Sequence, residues 1–336
     1  MLLPISLCCT LAISSRSSAQ IIQEAALKLV FFNNHTLGVV KGDKVIDISE
    51  AVPVNEHNHA QGLLNRIIES FEDYRGPIQQ LLDSEEGIPI SSVSFNSPVP
   101  NPHNIVCMAV NYMEDGTRDA PAPINAFHKS PNAVLADRGS IILPDVPASI
   151  FEPEAELALV IGKTATKVKE EDAYKHIFGY MNFIDMSARG LSQGGGVFYQ
   201  MKSRDTFAPM GPYLVTADEI DDPLKLQIQL SVNGELKQNF NTDDMAHKIP
   251  KVIEWITSIH TLNPGDVVAT GTNHRGLSPV MDGDKVELET QGLGRLHLSV
   301  IDDLQRTWKR ETRLERQQKG FDSTTPQTEG KYAQSK

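Results

Sequence analysis

Apolar and polar positions change rhythm several times along this chain. Between residues 26 and 50 they fall into the short runs LKLVFF, TLGVVKG and KVIDISE, punctuated by Asn, Gly and Asp, which predicts a set of short strands. From 61 to 85 the spacing turns helical, with Leu63, Leu64, Ile67, Ile68 and Phe71 on one face. Two helices are predicted there, broken at Gly76-Pro77. The Pro- and Asn-rich stretch SFNSPVPNPHN then reads as a linker.

Beyond it the pattern is strand-rich. NIVCMAV, ELALVIG, GDVVATG, DKVELET and LGRLHLSVI are apolar or alternating runs bounded by Gly and Asp. LKLQIQLSVNGELKQNF alternates around Asn233-Gly234, a strong hairpin signal. One helix is predicted after the N-cap Thr242, through DDMAHKIPKVIEWITSIHTL, kinked or split by Pro250. From Lys309 onward the chain turns charged and then polar, which predicts disorder. The expected class is mixed α/β and strand-rich. Its parts are an apolar leader over residues 1–22, a small α+β domain over 23–98, a larger strand-rich unit over 99–310 and a disordered tail over 311–336.

Composition narrows the function classes. The 336 residues are 40% hydrophobic and 22% charged, an ordinary globular balance with ample length for a sizeable core. The net charge of −12 and the lack of a basic stripe argue against a nucleic-acid partner. An acidic surface also gives small anions no general steering, so any anion site must be local. Cys8, Cys9 and Cys107 allow no disulfide framework in the body, and Cys107 reads as a buried, inert thiol. No apolar run reaches the ~18 residues that span a bilayer. The start, MLLPISLCCTLAISSRSSAQ, has a signal-like apolar stretch without a positive n-region. A cytoplasmic location is favoured, with mitochondrial targeting or secretion left open.

Candidate chemistry begins at FEPEAELALVIGK, where Glu152, Glu154 and Glu156 alternate at the mouth of an apolar strand. Residues two apart on a strand share a face, with Cα atoms about 6.5–7 Å apart. Two such carboxylates can share one divalent cation, and oxygen-only ligands favour Mg²⁺, Mn²⁺ or Ca²⁺ over zinc. Spacing alone favours solvated acids at an exposed strand end, since two glutamates on a strand are common. Further along, GYMNFIDMSARG sets Asp185 in an apolar context, followed by Ser187 and Arg189. MKSRDTFAPMGP brings Lys202, Arg204 and Asp205 before a Pro/Gly turn, and PGDVVATGTNHRGL ends a strand at Gly271 and Thr272.

These pieces, with NY at 111–112, AFHKS at 126–130, VNGE and MDGDKVELETQGLGRL, occur in an order that resembles the fumarylacetoacetate hydrolase family over roughly residues 104 to 300. The resemblance implies a β-roll catalytic domain, usually dimeric, behind a small N-terminal domain, and an octahedral Mg²⁺ or Mn²⁺. It assigns the metal ligands to Glu154, Glu156 and Asp185, and the active-site lysine to Lys202. Arg189, Thr272 and Tyr112 become substrate-binding residues, and Glu152 a supporting or solvent-facing one. The implied substrates are small β-diketo acids or α-keto acids, with metal-assisted C–C hydrolysis the leading reaction.

One departure stands out. Many members carry N-Y-x-x-H-A-x-E on a mobile lid, whose His and Glu activate water. Here NYMEDGTR places Asp115 at the His position and Arg118 at the Glu position. The base is then Asp115 or Glu114 in a changed arrangement, or a histidine from elsewhere. His128 and His274 are the best placed, and His128 reads more readily as structural. Without a base, the chemistry reduces to decarboxylation or tautomerisation of a β-keto acid such as oxaloacetate. A catalytically silent, metal-binding dimer is a third reading, opposed by the retained Lys202. His247 and His260 read as packing or capping residues.

Overall fold

The computed structural model describes residues 27–52, 59–191, 198–321 and 324–333; the leader over 1–22 lies outside them. The fold is strand-rich mixed α/β, as the patterning implies. One long sheet runs, in spatial order, through Ile88–Pro89, Lys44–Asp47, Thr36–Lys41, Lys28–Phe32, Ala208–Thr216, Ile177–Ile184, Ala155–Ile161, Val267–Ala269, Ile105–Met108 and Ala126–Lys129. A second sheet orders Glu235–Asn241, Gln227–Val232, Lys285–Thr290, Arg295–Ile301 and Ser140–Ile142. Buried Asn182 ties the two together. Its side chain accepts from the Thr290 N–H at 2.8 Å and donates to the Gly294 carbonyl at 3.0 Å.

The expected hairpin forms at Asn233-Gly234, both with positive φ (53° and 78°), the geometry that Asn-Gly adopts without strain. Cys107 is buried and free.

Several expectations are corrected. The helices are Ala60–Glu69 and Phe71–Ser84, so the break falls at Ser70 and not at Gly76-Pro77. Pro77 sits inside the second helix on an exposed face, where the carbonyl its missing N–H frees is on the solvent side. Pro250 neither kinks nor splits its helix. It lies in the first turn of Ile249–Ile259, where the N–H has no intrahelical partner anyway. The stretch near 98 is no free linker: Phe95–Asn96 pairs with Phe31 and Phe32, and Val99 is buried. Lys28–Phe32 pairs with Ala208–Thr216, so the sheet runs across the expected domain boundary. The reason is visible in the strand itself. Leu29 and Phe31 pack into one core cluster while Val30 and Phe32 pack into another, so both faces are covered.

The largest correction concerns the tail. Residues 311–321 and 324–333 are ordered, with a helix at Arg313–Gln318 and a strand pair between Thr307–Trp308 and Gln327–Glu329. Thr312 and Glu315 form a reciprocal capping box at the helix start. Buried Trp308 stands edge-on to Phe151 and donates its Nε1–H to the Ser149 carbonyl at 2.7 Å. Composition misleads here because few anchors hold the segment, and each joins it to residues far away in sequence.

Candidate active site

Two antiparallel pairings build the site. Glu156 lies opposite Phe183 and Ala155 opposite Ile184, which sets Asp185 just past the end of its strand and beside the glutamates. The Asp185 N–H donates to the Glu154 carbonyl at 2.9 Å. Ile150–Glu152 pairs with Ser187–Arg189, with Glu152 opposite Ser187. EPE and IDMSAR are thereby folded onto each other, and all four carboxylates are buried.

Buried carboxylates need cations, and the chain supplies four. Lys202, itself buried, donates to Glu154 at 2.9 Å and also bonds Asp185. Lys129 donates to the other Asp185 oxygen at 2.5 Å and to the Met186 carbonyl at 3.2 Å. Arg189 bonds Glu154 and reaches Glu152 at 3.0 Å. Arg313, from the tail helix, grips the same Glu152 through Nε at 2.9 Å and through its terminal nitrogen. Burial pushes the Glu154 carboxyl up, but Lys202 and Arg189 hold it well below the usual range. The Lys202 ammonium is opposed by burial and held above its ordinary value by Asp185 and Glu154.

Glu152 is therefore neither solvent-facing nor spare: it links the tail to Arg189. Arg313→Ala is expected to cost about 2 kcal/mol, since it removes charge-assisted hydrogen bonds from a carboxylate that keeps only Arg189. Urea unfolding of the variant measures that loss.

Glu156 differs from the other three. Its hydrogen-bond donor is the Gly271 N–H at 2.7 Å, and no side-chain cation bonds it among the described residues. Burial, then the charges of Asp185 and Glu154, push its carboxyl well above the usual range. Gly271 has φ of 91°, and a Cβ there would meet the Asn111 Cβ at 2.9 Å, so only glycine brings this N–H to the carboxylate. One ligand oxygen from each of Glu154, Glu156 and Asp185 lies within 4.8 Å of the others. Two oxygens bound to one cation at 2.0–2.6 Å are at most about 5.2 Å apart, so the cluster fits a hard divalent cation. The unneutralised Glu156 is the observation that asks for one.

The loop after Tyr112 changes which acid matters. Val110, Glu114 and Asp115 all have positive φ, at 55°, 56° and 54°, a strained stretch for residues with a Cβ. That backbone turns Glu114 inward. Its two oxygens take the His274 N–H at 2.9 Å and the His274 Nδ1 at 2.6 Å. Burial pushes the Glu114 carboxyl up, but the bonds from His274 and the charge of Arg118 hold it below its ordinary value. His274 is near enough to the carboxylate cluster to help hold Glu154 down. Asp115, half exposed, turns away to Arg275 at 3.1 Å and Asn273 at 3.2 Å. A cleft of about 340 Å³ opens over this pair, lined by Glu114, Arg118, His274, Arg275, Arg313 and Gln317 among others.

The remaining candidates are placed as follows. Tyr112 is fully buried, edge-on to Phe240 at 5.0 Å. Thr272 is buried and its hydroxyl accepts from Gln238 at 2.9 Å. Arg189 braces Glu152 and Glu154, not Asp185. His128 stands beside His260, ring centroids 5.6 Å apart, and burial lowers its pKa. His247 bonds the Ala122 carbonyl at 2.8 Å.

Sequence reasoning missed Lys129, Arg313 and Gln238. Lys129 carries a signal in hindsight, because it lies in AFHKS, one of the pieces on which the resemblance rests. Arg313 and Gln238 carry none, because their partners are 161 and 34 residues away.

Comparison with known proteins agrees with this architecture. Residues 104–301 match the model of the fumarylacetoacetate (FAA) hydrolase C-terminal domain. The chain belongs to the fumarylacetoacetate hydrolase family. A maleylpyruvate hydrolase of Aquipseudomonas alcaligenes is 32% identical over 82% of this chain and 99% of its own. The oxaloacetate tautomerase YisK of Bacillus subtilis (strain 168) is 37% identical over 62% of this chain and 73% of its own. The crystal structure of a maleylpyruvate hydrolase from Sphingobium sp. SYK-6, in complex with manganese(II) and pyruvate, superposes with a TM-score of 0.74. It is 36% identical and covers 82% of this chain and 99% of that one. This family member is an enzyme, and among the described residues no helix is long and apolar enough to cross a membrane.

Proposed function

We propose that the chain is a metal-dependent hydrolase that cleaves a C–C bond in an acylpyruvate, giving pyruvate and a carboxylic acid. The observation that carries this reading is the Glu114–His274 pair, whose histidine follows by three residues Gly271, the residue that bonds Glu156. It restores in new positions the His and Glu that the lid motif lacks. Glu154, Glu156 and Asp185 are the proposed ligands of Mg²⁺ or Mn²⁺, with Ca²⁺ compatible with the same oxygen donors. A cation held there would supply Lewis-acid polarisation of the substrate's paired keto-acid oxygens.

The chain's own groups do the rest. Glu114 holds His274 at Nδ1, which leaves Nε2 as the base. His274 takes a proton from water, and the hydroxide adds to the acyl carbonyl. The C–C bond breaks with its electron pair going to the pyruvate methylene carbon, and the imidazolium returns a proton there. Lys202 places a fixed positive charge beside the anionic oxygens, and Phe127 lies under its ammonium at 5.2 Å, keeping that side dry. Thr272 and Arg189 border the same cluster as substrate-positioning residues.

The second reading, tautomerisation of a β-keto acid, draws on the tautomerase relative. It needs no attacking water. Proton NMR of acetylpyruvate and oxaloacetate with Mg²⁺, Mn²⁺ or EDTA separates the two. Metal-dependent acetate plus pyruvate is expected, and abolished in Lys202→Met. An enzyme that leaves acetylpyruvate intact but equilibrates oxaloacetate tautomers overturns hydrolysis in favour of the second reading.

A further inference from the structure

We propose that Arg118 is a specificity-determining residue that binds a second carboxylate, at the acyl end of the substrate, and so makes this a diacid-selective site. The inference deepens the acylpyruvate reading and rests on it for the metal-proximal half of the substrate.

Three arginines line the cleft above Glu114 and His274, in a protein whose net charge is −12. Two of them are engaged. Arg313 is held by both oxygens of Glu152. Arg275 donates to Asp115 at 3.1 Å and to the Glu114 carbonyl at 3.3 Å. Arg118 is different. Its nearest carboxylate oxygen, on Glu114, is 3.7 Å away, beyond hydrogen-bond distance, and Glu114 is already bonded twice to His274. Its Nε is buried and has no hydrogen-bond partner. A guanidinium donor buried without an acceptor costs free energy that a bound carboxylate would recover. The side chain is about one-third exposed (36%), so a ligand in the cleft can reach it.

The position adds a second argument. In the lid pattern that the sequence resembles, residue 118 would be a glutamate paired with a histidine. In this chain that pair has moved to Glu114 and His274, and residue 118 has changed sign. The base is kept while the cleft wall becomes cationic. A monoacid acylpyruvate would leave Arg118 with only its long contact to Glu114; a substrate with a carboxylate on its acyl chain would give the guanidinium a hydrogen-bonded partner. A site built around such a bond rejects the analogue that lacks the charged group.

The test compares succinylpyruvate with butanoylpyruvate, which carries a methyl where the first has its distal carboxylate. The wild type is expected to prefer the diacid by about 10²-fold in kcat/KM, and Arg118→Gln to lose most of that preference, its loss on succinylpyruvate exceeding its loss on butanoylpyruvate by at least about tenfold. Arg118→Lys, which keeps the charge but not the fork, should retain part of it. Equal losses on both substrates, or an unchanged preference, overturn the proposal. Failure of the hydrolase reading is seen separately, in the products. If no cleavage occurs, selectivity is read from the dissociation constants of the two intact acylpyruvates with Mn²⁺, where the same collapse of the ratio in Arg118→Gln supports the proposal and its absence overturns it.

Discussion

His274→Ala is expected to lower the turnover of an acylpyruvate by about 10³-fold, the size of effect that a positioned general base supplies. KM should hold, because the carboxylates and lysines that anchor the keto-acid end do not touch this ring. Glu114→Gln should cost less, about 10²-fold, since the amide can still meet one imidazole nitrogen but no longer favours the imidazolium that forms during the reaction. Steady-state kinetics on both variants measures the split. Metal titration serves as the control and should match the wild type closely, while thermal unfolding reports separately the cost of breaking the partly buried pair. Asp115→Asn is the internal comparison. Its carboxylate faces Arg275 and solvent, so turnover should change by less than about threefold. Hydrolysis that survives in His274→Ala, or is lost in Asp115→Asn instead, places the base elsewhere.

What the sequence could and could not carry follows from the range of the interactions. The hairpin at Asn233-Gly234 is written in residues two to four apart and formed where the periodicity put it. The helical face from Leu63 to Ile68 formed too, but its helix stops at Glu69, short of the predicted break, and the apolar strand starts at Ala155, with Glu152 on a separate strand and Glu154 between the two. Asp185 joined the glutamates through strand register, which only the ordered motif set could suggest. The Glu114–His274 pair was half legible. Both residues were candidates, but their contact spans 160 positions and depends on three left-handed residues in the loop that carries Glu114. A positive φ at a valine, a glutamate and an aspartate has no compositional trace. The tail shows the same limit from the other side. Its polar composition pointed to disorder, while Arg313 on Glu152, the Arg313 and Leu314 N–H groups on the Leu277 and Arg275 carbonyls, and Lys331 and Tyr332 on Asp145 fasten it to the body.

The charge arrangement links these parts. Arg313, Glu152, Arg189, Glu154, Lys202, Asp185 and Lys129 form an unbroken series of alternating sign from the tail helix to Ala126–Lys129, the strand at the end of the long sheet. Every carboxylate in that series has a cation, and the series passes Glu156 by. Within this cluster the fold can therefore satisfy itself in the absence of metal at every acid except the one that a metal would complete.

That exception yields the second large expected effect, a contrast between two ligand substitutions. In EDTA, Asp185→Asn should destabilise the protein by about 3 kcal/mol, because it strips the carboxylate from buried Lys129 and leaves buried Lys202 with Glu154 alone. Glu156→Gln should stay within about 1 kcal/mol of the wild type under the same conditions. It keeps the shape and the bond from Gly271, and removes a carboxylate whose ionised form burial and its neighbours disfavour. With Mn²⁺ at 100 times its dissociation constant, the wild type should gain about 2.7 kcal/mol, and both variants should lose that gain. Chemical denaturation of the three proteins, with EDTA and with Mn²⁺, reads all of these terms. Equal destabilisation of the two variants in EDTA would mean that Glu156 has a structural cation partner in solution. A full Mn²⁺ gain in Glu156→Gln would mean that the metal binds without it, and the three-carboxylate site would have to be redrawn around Glu154 and Asp185.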